Sequence, residues 1–202
     1  VEEYGVQGRE HEWDARWWSP VINAEHLAMR ERAAMFDLTA FCVFAVVGPN
    51  ALDAVQQVAA RQLNVPHGRV VYTPVLSSGG GFKSDLTVMK MEDDRVAVVT
   101  GGAHGMADMK WFRDHCPAGT RIEDHTSTVC TVGIWGPRSR DILASITGTD
   151  VSNEAFPFST WQELDNGVVA SRISYVGDLG WELYAPMESG LGLWDALWEA
   201  GR

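Results

Sequence analysis

The chain has 202 residues, 46% of them hydrophobic, enough to bury a sizeable core as one or two domains. Its 27 Asp and Glu against 16 Lys and Arg leave a net charge of −11, and no basic run longer than a pair of neighbours compensates. That balance argues against nucleic acid or an anionic membrane as partner.

In chain order, residues 8–21 (GREHEWDARWWSPV) read as a loop, and a helix begins at Asn23 or Ala24. It carries Leu27, Ala28, Ala34 and Met35 on one side and stops near Phe36. A strand at 42–47 follows, then Gly48 and Pro49, with proline suited to a first helical turn where its missing N–H would be unpaired anyway. The helix runs to about Arg61, followed by strands at 70–76, 85–91 and 95–100 and a helix at 103–115.

The same device recurs as a weak internal repeat: an apolar strand at 129–135, Gly136 and Pro137, and a helix at 138–146. Strands at 167–175 and 180–185 precede a helix at 189–200, whose Leu191, Trp194, Leu197 and Trp198 fall at the spacing of a buried face. Both halves therefore read strand, helix, strands, helix. Helices crossing antiparallel sheets make an α+β architecture, close to a ferredoxin-like arrangement in each half.

Two stretches carry chemistry. In SYVGDLGWELY, residues 174–184, Gly177, Asp178 and Gly180 mark a hairpin turn that directs Tyr175 and Glu182 toward one region. A carboxylate among aromatics suits the amide-like edge of a flat heterocycle, because two parallel N–H donors satisfy both oxygens. Spacing alone fits better a rim glutamate on a solvated strand beside a tyrosine that packs by its ring. In VVYTPVLSSGGGFKSDLTVMKM, residues 70–91, Asp85 stands at the start of an alternating apolar strand, where acids are depleted, though a turn aspartate bonding its own backbone also fits.

Cys42, Cys116 and Cys130 lie far apart without C-x-x-C spacing, and the odd count leaves one unpaired in any disulfide scheme. They point to a reduced, cytoplasmic setting, with the mitochondrial matrix also open. The acidic, polar start lacks the parts of a signal peptide, and no apolar run approaches the ~20 residues that span a bilayer. The absence of an initiator Met fits an excised segment. His115, Cys116, His125 and Cys130 lack zinc-site spacing, so no metal is expected. Neither the G-x-G-x-x-G fingerprint, a phosphate loop nor a G-x-S-x-G elbow is present.

YTPVL, then GGGFKSDLTV, GIWGPRSRDIL, SYVGDLGWELY and LWDALWEAG, in that order, resemble the folate-binding aminomethyltransferase family typified by the T-protein of the glycine cleavage system. AEHLAMRERAAMFDLTAF at 24–41 and the tryptophans of GIWGP and GWELY are most similar to the folate domain of dimethylglycine oxidase, dimethylglycine dehydrogenase and sarcosine dehydrogenase. The resemblance runs from about Glu25 to the C-terminus. It implies a three-lobed ring with lobe one at 1–41 and 128–202, lobe two inserted at 42–127, and the third lobe absent from this chain.

The implied activity is capture of the methylene of an oxidised N-methyl amine, of the dimethylglycine or sarcosine type, by tetrahydrofolate as 5,10-methylenetetrahydrofolate. Asp85 matches the family's catalytic acid; where many T-proteins carry two consecutive acids, this chain has Ser84 then Asp85. Glu182 matches the pterin-binding glutamate, Tyr175 the aromatic ahead of it and Tyr72 a ring-wall tyrosine, although an ordinary strand aromatic fits Tyr72 as well. FAD would belong to a separate flavin oxidoreductase domain, upstream or on a partner chain. The alternatives are a folate-dependent O- or S-demethylase of the same superfamily and a non-catalytic folate-binding regulatory protein.

Overall fold

The computed structural model describes residues 1–11 and 17–202. Part of the expected loop at 8–21 lies outside the described residues. The first helix, α1 (Pro20–Glu31), starts earlier than its apolar spacing suggests because Pro20 takes the first helical turn and Ser19 caps it, accepting from the Ile22 N–H at 3.2 Å. It also ends earlier. Residues expected to continue it form strand β1 (Ala34–Asp37), since pairing with the strand at Val129–Trp135 overrides the local helical pattern.

The remaining elements are β2 (Cys42–Val47), α2 (Ala51–Val58), β3 (Val70–Leu76), β4 (Phe82–Glu92), β5 (Arg95–Thr100), α3 (Gly105–His115), β6 (Arg121–Asp124), β7 (Val129–Trp135), α4 (Ser139–Ser145), β8 (Thr160–Glu163), β9 (Val169–Arg172), β10 (Gly180–Pro186) and α5 (Gly190–Gly201). The short strands β6 and β8 escape the sequence pattern. Each has only four residues, none fully buried, so neither shows an apolar run.

Two five-stranded antiparallel sheets result, in the orders β1-β7-β10-β9-β8 and β3-β4-β5-β2-β6. The second carries the ferredoxin-like order, β6-β2-β5-β4, with β3 added at the edge. The first repeats it with β7, β10 and β9, while β1, from the start of the chain, fills the place beside β7 that β6 holds beside β2. The fold is α+β, and the internal repeat is real at the level of topology.

Each sheet buries one face under its own helices. Ala51, Ala54, Val55 and Val58 of α2 recur at i, i+3, i+4 and i+7 and pack with Phe44, Val98 and Phe112; the Phe44 and Phe112 rings meet edge to face at 5.1 Å. Trp181, Leu183 and Ile134 pack with Phe156, Leu143, Leu193 and Leu197 on the first sheet. Trp198 departs from the expected buried face and is 57% exposed, and Leu191 is exposed too, because only Leu193, Leu197 and part of Trp194 reach the sheet.

The two sheets meet through their other faces. Tyr184 of β10 is buried among Val43, Val70, Met89 and Val99 of the second sheet, with Trp161, Val169 and Ile173 from the first. One edge of this seam is laced by backbone bonds from Val70 N–H to Ser159 O at 2.9 Å and from Trp161 N–H to Gly68 O at 2.8 Å. No described helix is long and apolar enough to cross a membrane.

The Gly-Pro devices have a shared cause. Gly48 and Gly136 hold φ of +139° and +126°, and a Cβ at Gly136 would sit 2.4 Å from Met29 O and 2.5 Å from Arg32 O, where α1 closes onto the β7–α4 turn. Gly136→Ala is expected to destabilise the fold by about 2 kcal/mol or more, from the positive φ and the backbone clash together. Urea unfolding of the variant against the parent chain checks this.

Candidate functional site

Strand alternation places the candidate side chains. On β4, Asp85, Thr87, Met89 and Met91 share one face, and on β3 Val70 and Tyr72 share it, with Tyr72 opposite Thr87 and Val70 opposite Met89. Since Met89 and Val70 belong to the inter-sheet core, Asp85 and Tyr72 extend that seam-facing surface toward the end of the strands. Across the seam, Glu182 and Tyr184 share a face of β10, and Tyr184 is in the same core. The two carboxylates thus project from different sheets toward one seam.

Each carboxylate is held by a tyrosine. The Tyr72 hydroxyl donates to Asp85 Oδ2 at 2.5 Å, and the Tyr184 hydroxyl donates to Glu182 Oε2. The other oxygens, Asp85 Oδ1 and Glu182 Oε1, accept from no described residue. The bond to Asp85, chiefly, pushes the Tyr72 phenol above its ordinary range, and the nearby Tyr175 phenol adds to the effect.

Tyr175 stands differently from the strand position expected of it: β9 ends at Arg172 and β10 starts at Gly180, so Tyr175 sits in the connecting loop and is 100% exposed. Glycines and Ser174 favour a turn there; the Ser174 hydroxyl accepts from the Val176 and Gly177 N–H groups at 3.3 and 2.9 Å, and Gly177 has φ +93°. The loop is tied down by Asp178 to Arg30 of α1 at 2.5 Å and by the Leu179 carbonyl, which accepts from Gly136 N–H and the Ser139 hydroxyl. It is an anchored loop that presents an exposed phenol.

Around Glu182 the strand neighbours are small. Its partners are Gly133 on β7 and Ser171 on β9. The Trp135 ring lies over two bare backbones, since a Cβ at Gly133 would meet its Cζ3 at 2.1 Å and one at Gly180 would meet its Cδ1 at 2.3 Å. Its indole N–H donates to Ile173 O at 2.9 Å, and Phe36 packs against it with ring centroids 5.4 Å apart. Glu182 is therefore flanked by an aromatic surface and by a buried Ser171 hydroxyl that has no partner among the described residues; Thr131 Oγ1, beside Tyr184, likewise has none among them.

Burial drives the Glu182 carboxyl above the usual carboxylate range, and the Tyr184 hydroxyl pulls it partly back; Tyr184 itself is pushed well above the ordinary phenol range, first by burial, so it stays a donor. An acceptor pair in a desolvated, aromatic-edged place is suited to a flat heterocycle with N–H donors. A reduced pterin meets that description: Glu182 can accept its N–H edge, Trp135 offers a ring face, and the Ser171 hydroxyl is a further polar atom in need of a partner.

Sequence reasoning missed Tyr184, Trp135 and Phe36. Tyr184 stands two residues after Glu182 in GWELY, which on a strand means the same face. Trp135 stands two after Gly133, so the alternation of Gly133 and Gly180 with bulkier neighbours was a readable sign of a ring laid on backbone. Phe36 was lost with the helix reading of β1. Two surface hollows lie elsewhere: one of about 380 Å³ at His67, Trp161 and Gln162, another of about 590 Å³ between α1 and α5. Among the described residues no group of three or more His, Cys, Asp or Glu is arranged to hold a metal, and the three cysteines are free thiols.

Comparison with known proteins adds to this geometry. The family model of the GCVT N-terminal domain matches residues 2–202. The chain is 33% identical over 98% of its length to 4-methylaminobutanoate oxidase (formaldehyde-forming) of Paenarthrobacter nicotinovorans, and 34% identical over 96% to mitochondrial sarcosine dehydrogenase of Mus musculus. It spans about a quarter of each relative, 25% and 23%. Its fold matches the glycine cleavage system aminomethyltransferase T of Bartonella henselae with a TM-score of 0.79 at 22% identity, over 97% of this chain and 54% of that one.

A raised carboxyl stabilises the folded chain fully below the ordinary carboxylate range, and that contribution is lost as pH rises through the raised value. Glu182→Gln keeps a carbonyl acceptor for Tyr184 without the half-buried charge. Its melting temperature is expected to match the parent's at acid pH and to exceed it increasingly toward neutral pH, as differential scanning calorimetry across pH would record.

Proposed function

Because the chain belongs to the GCVT N-terminal domain family, we propose that it is the folate-binding part of an enzyme that takes the carbon of an oxidised N-methyl amine, of the sarcosine or dimethylglycine type, onto tetrahydrofolate. When bound, the reduced folate supplies a nucleophilic ring nitrogen that accepts the one-carbon unit, giving 5,10-methylenetetrahydrofolate. Two relatives support the amine class by name, one acting on sarcosine and one on 4-methylaminobutanoate.

The observation that carries the reading is the pair of tyrosine-held carboxylates, Asp85 and Glu182, directed from opposite sheets toward one seam. In this reading Glu182 binds the pterin edge through its N–H donors, a charge-assisted contact made in a desolvated place. Trp135 and Tyr175 offer ring surface at the sides. Asp85 holds or takes a proton at the reacting nitrogen and offsets positive charge as it develops at the transferred carbon. Tyr72 orients that carboxylate by donating to Oδ2. Amine oxidation belongs to a flavin oxidoreductase domain or partner chain, and the two sheet units serve as lobes one (1–41 and 128–202) and two (42–127).

In the full-length protein, Asp85→Ala is expected to spare amine oxidation yet abolish methylenetetrahydrofolate formation, with formaldehyde released instead; product analysis after turnover reads this, and retained folate product removes Asp85 from the chemistry. Glu182→Gln should weaken tetrahydrofolate binding by about 1.5 to 3 kcal/mol, the scale of a hydrogen bond to a charged group. Isothermal titration measures that loss, and an unchanged affinity would take Glu182 out of the binding site.

A further inference from the structure

Asp85 occupies a poorly supported stretch of backbone. Pairing of β4 with β5 begins only at Leu86, opposite Thr100, so Asp85 has no β5 partner. On its other side, the ladder to β3 shifts register between Val75 and Leu76, directly after the Ser84 pair. A carboxylate that must be aimed accurately thus sits where the sheet gives it one neighbouring strand and an irregularity one residue away.

The helix-facing side of the sheet supplies what the ladder lacks. Ser84, turned to the opposite face from Asp85, donates its hydroxyl to Asp108 Oδ2 at 2.8 Å. Thr100, the last residue of β5, donates to the same oxygen at 2.6 Å and lies 3.4 Å from the Asp85 carbonyl. Asp108 stands in the first turn of α3, and all three residues are buried. One oxygen of one helix residue therefore joins the strand end before Asp85 to the strand end opposite it.

We propose that Asp108 is a positioning residue for Asp85: by clamping Ser84 and Thr100 to α3, it fixes the backbone from which Asp85 meets Tyr72 and the seam. It also assigns a reason to Ser84. An acid at position 84 would turn its charge into the buried Asp108 carboxylate, whereas a serine donates to it, so the single acid of this chain stands on the seam side and its neighbour serves the clamp. The effect on turnover rests on the folate reading; the effect on the Asp85–Tyr72 bond does not.

The test is a phenolate absorbance titration of Tyr72 in the full-length protein, isolated as the difference from a Tyr72→Phe background. Asp85 and Tyr175 are the titratable groups acting on Tyr72. Asp108→Ala, and Ser84→Ala as the milder variant, should let Tyr72 titrate closer to an ordinary phenol. Asp108→Asn, whose side-chain carbonyl can accept both hydroxyls, should restore the parent titration. In parallel, kcat for folate-dependent capture should fall about ten- to a hundredfold in Asp108→Ala, the scale of a misplaced catalytic group, while tetrahydrofolate affinity, set at Glu182, stays within about twofold. A folded Ser84→Ala or Asp108→Ala protein whose Tyr72 titrates as in the parent overturns the proposal, and so does a loss that Asp108→Asn leaves unrestored. A parent protein that binds no tetrahydrofolate counts against the function, and the Tyr72 titration then still decides the role of Asp108.

Discussion

The face-to-face packing of the two sheets through Tyr184 is the constraint on which the site depends. Its ring is buried among Val43, Val70, Met89 and Val99 of the other sheet, while its hydroxyl holds Glu182 on its own strand. Apolar burial in the seam and the aim of a polar side chain are thus carried by one residue. An unpaired hydroxyl at that depth would be costly, and Glu182 removes the cost by accepting it.

A half-buried acid and a buried donor tyrosine moderate each other. Burial raises Glu182, and the Tyr184 bond acts against that rise without removing it. The fold therefore bears a destabilising group at neutral pH, the usual mark of a place kept for binding rather than for stability. The aromatic surroundings follow the same logic: Gly133 and Gly180 give up side chains so that Trp135 can lie on the backbone beside the carboxylate.

Symmetry of topology explains how the two acids come from different halves. Each half builds the same antiparallel order, covers one face with its own helices and leaves the other for its counterpart. Strand β1 completes the first sheet from the far end of the chain, tying residues 34–37 to a strand nearly a hundred positions later. Neither half alone could present both Asp85 and Glu182, so what the seam does requires both.

The continuous apolar strands at 42–47 and 129–135, the alternating ones at 70–76 and 82–92, the two Gly-Pro turns and the acids in GGGFKSDLTV and GWELY determined the α+β architecture, most of its elements and two of its acidic side chains, because strand burial and positive-φ glycines are local constraints written residue by residue. Tertiary structure decided what local pattern does not encode: that residues 34–37 pair as a strand, that Tyr175 leaves the ladder for an exposed loop, that Tyr184 holds Glu182 with Trp135 beside it, and that Asp108 accepts from Ser84 and Thr100 behind Asp85. Those outcomes depend on contacts between segments distant in sequence, where the energy of pairing and burial outweighs any single residue's preference.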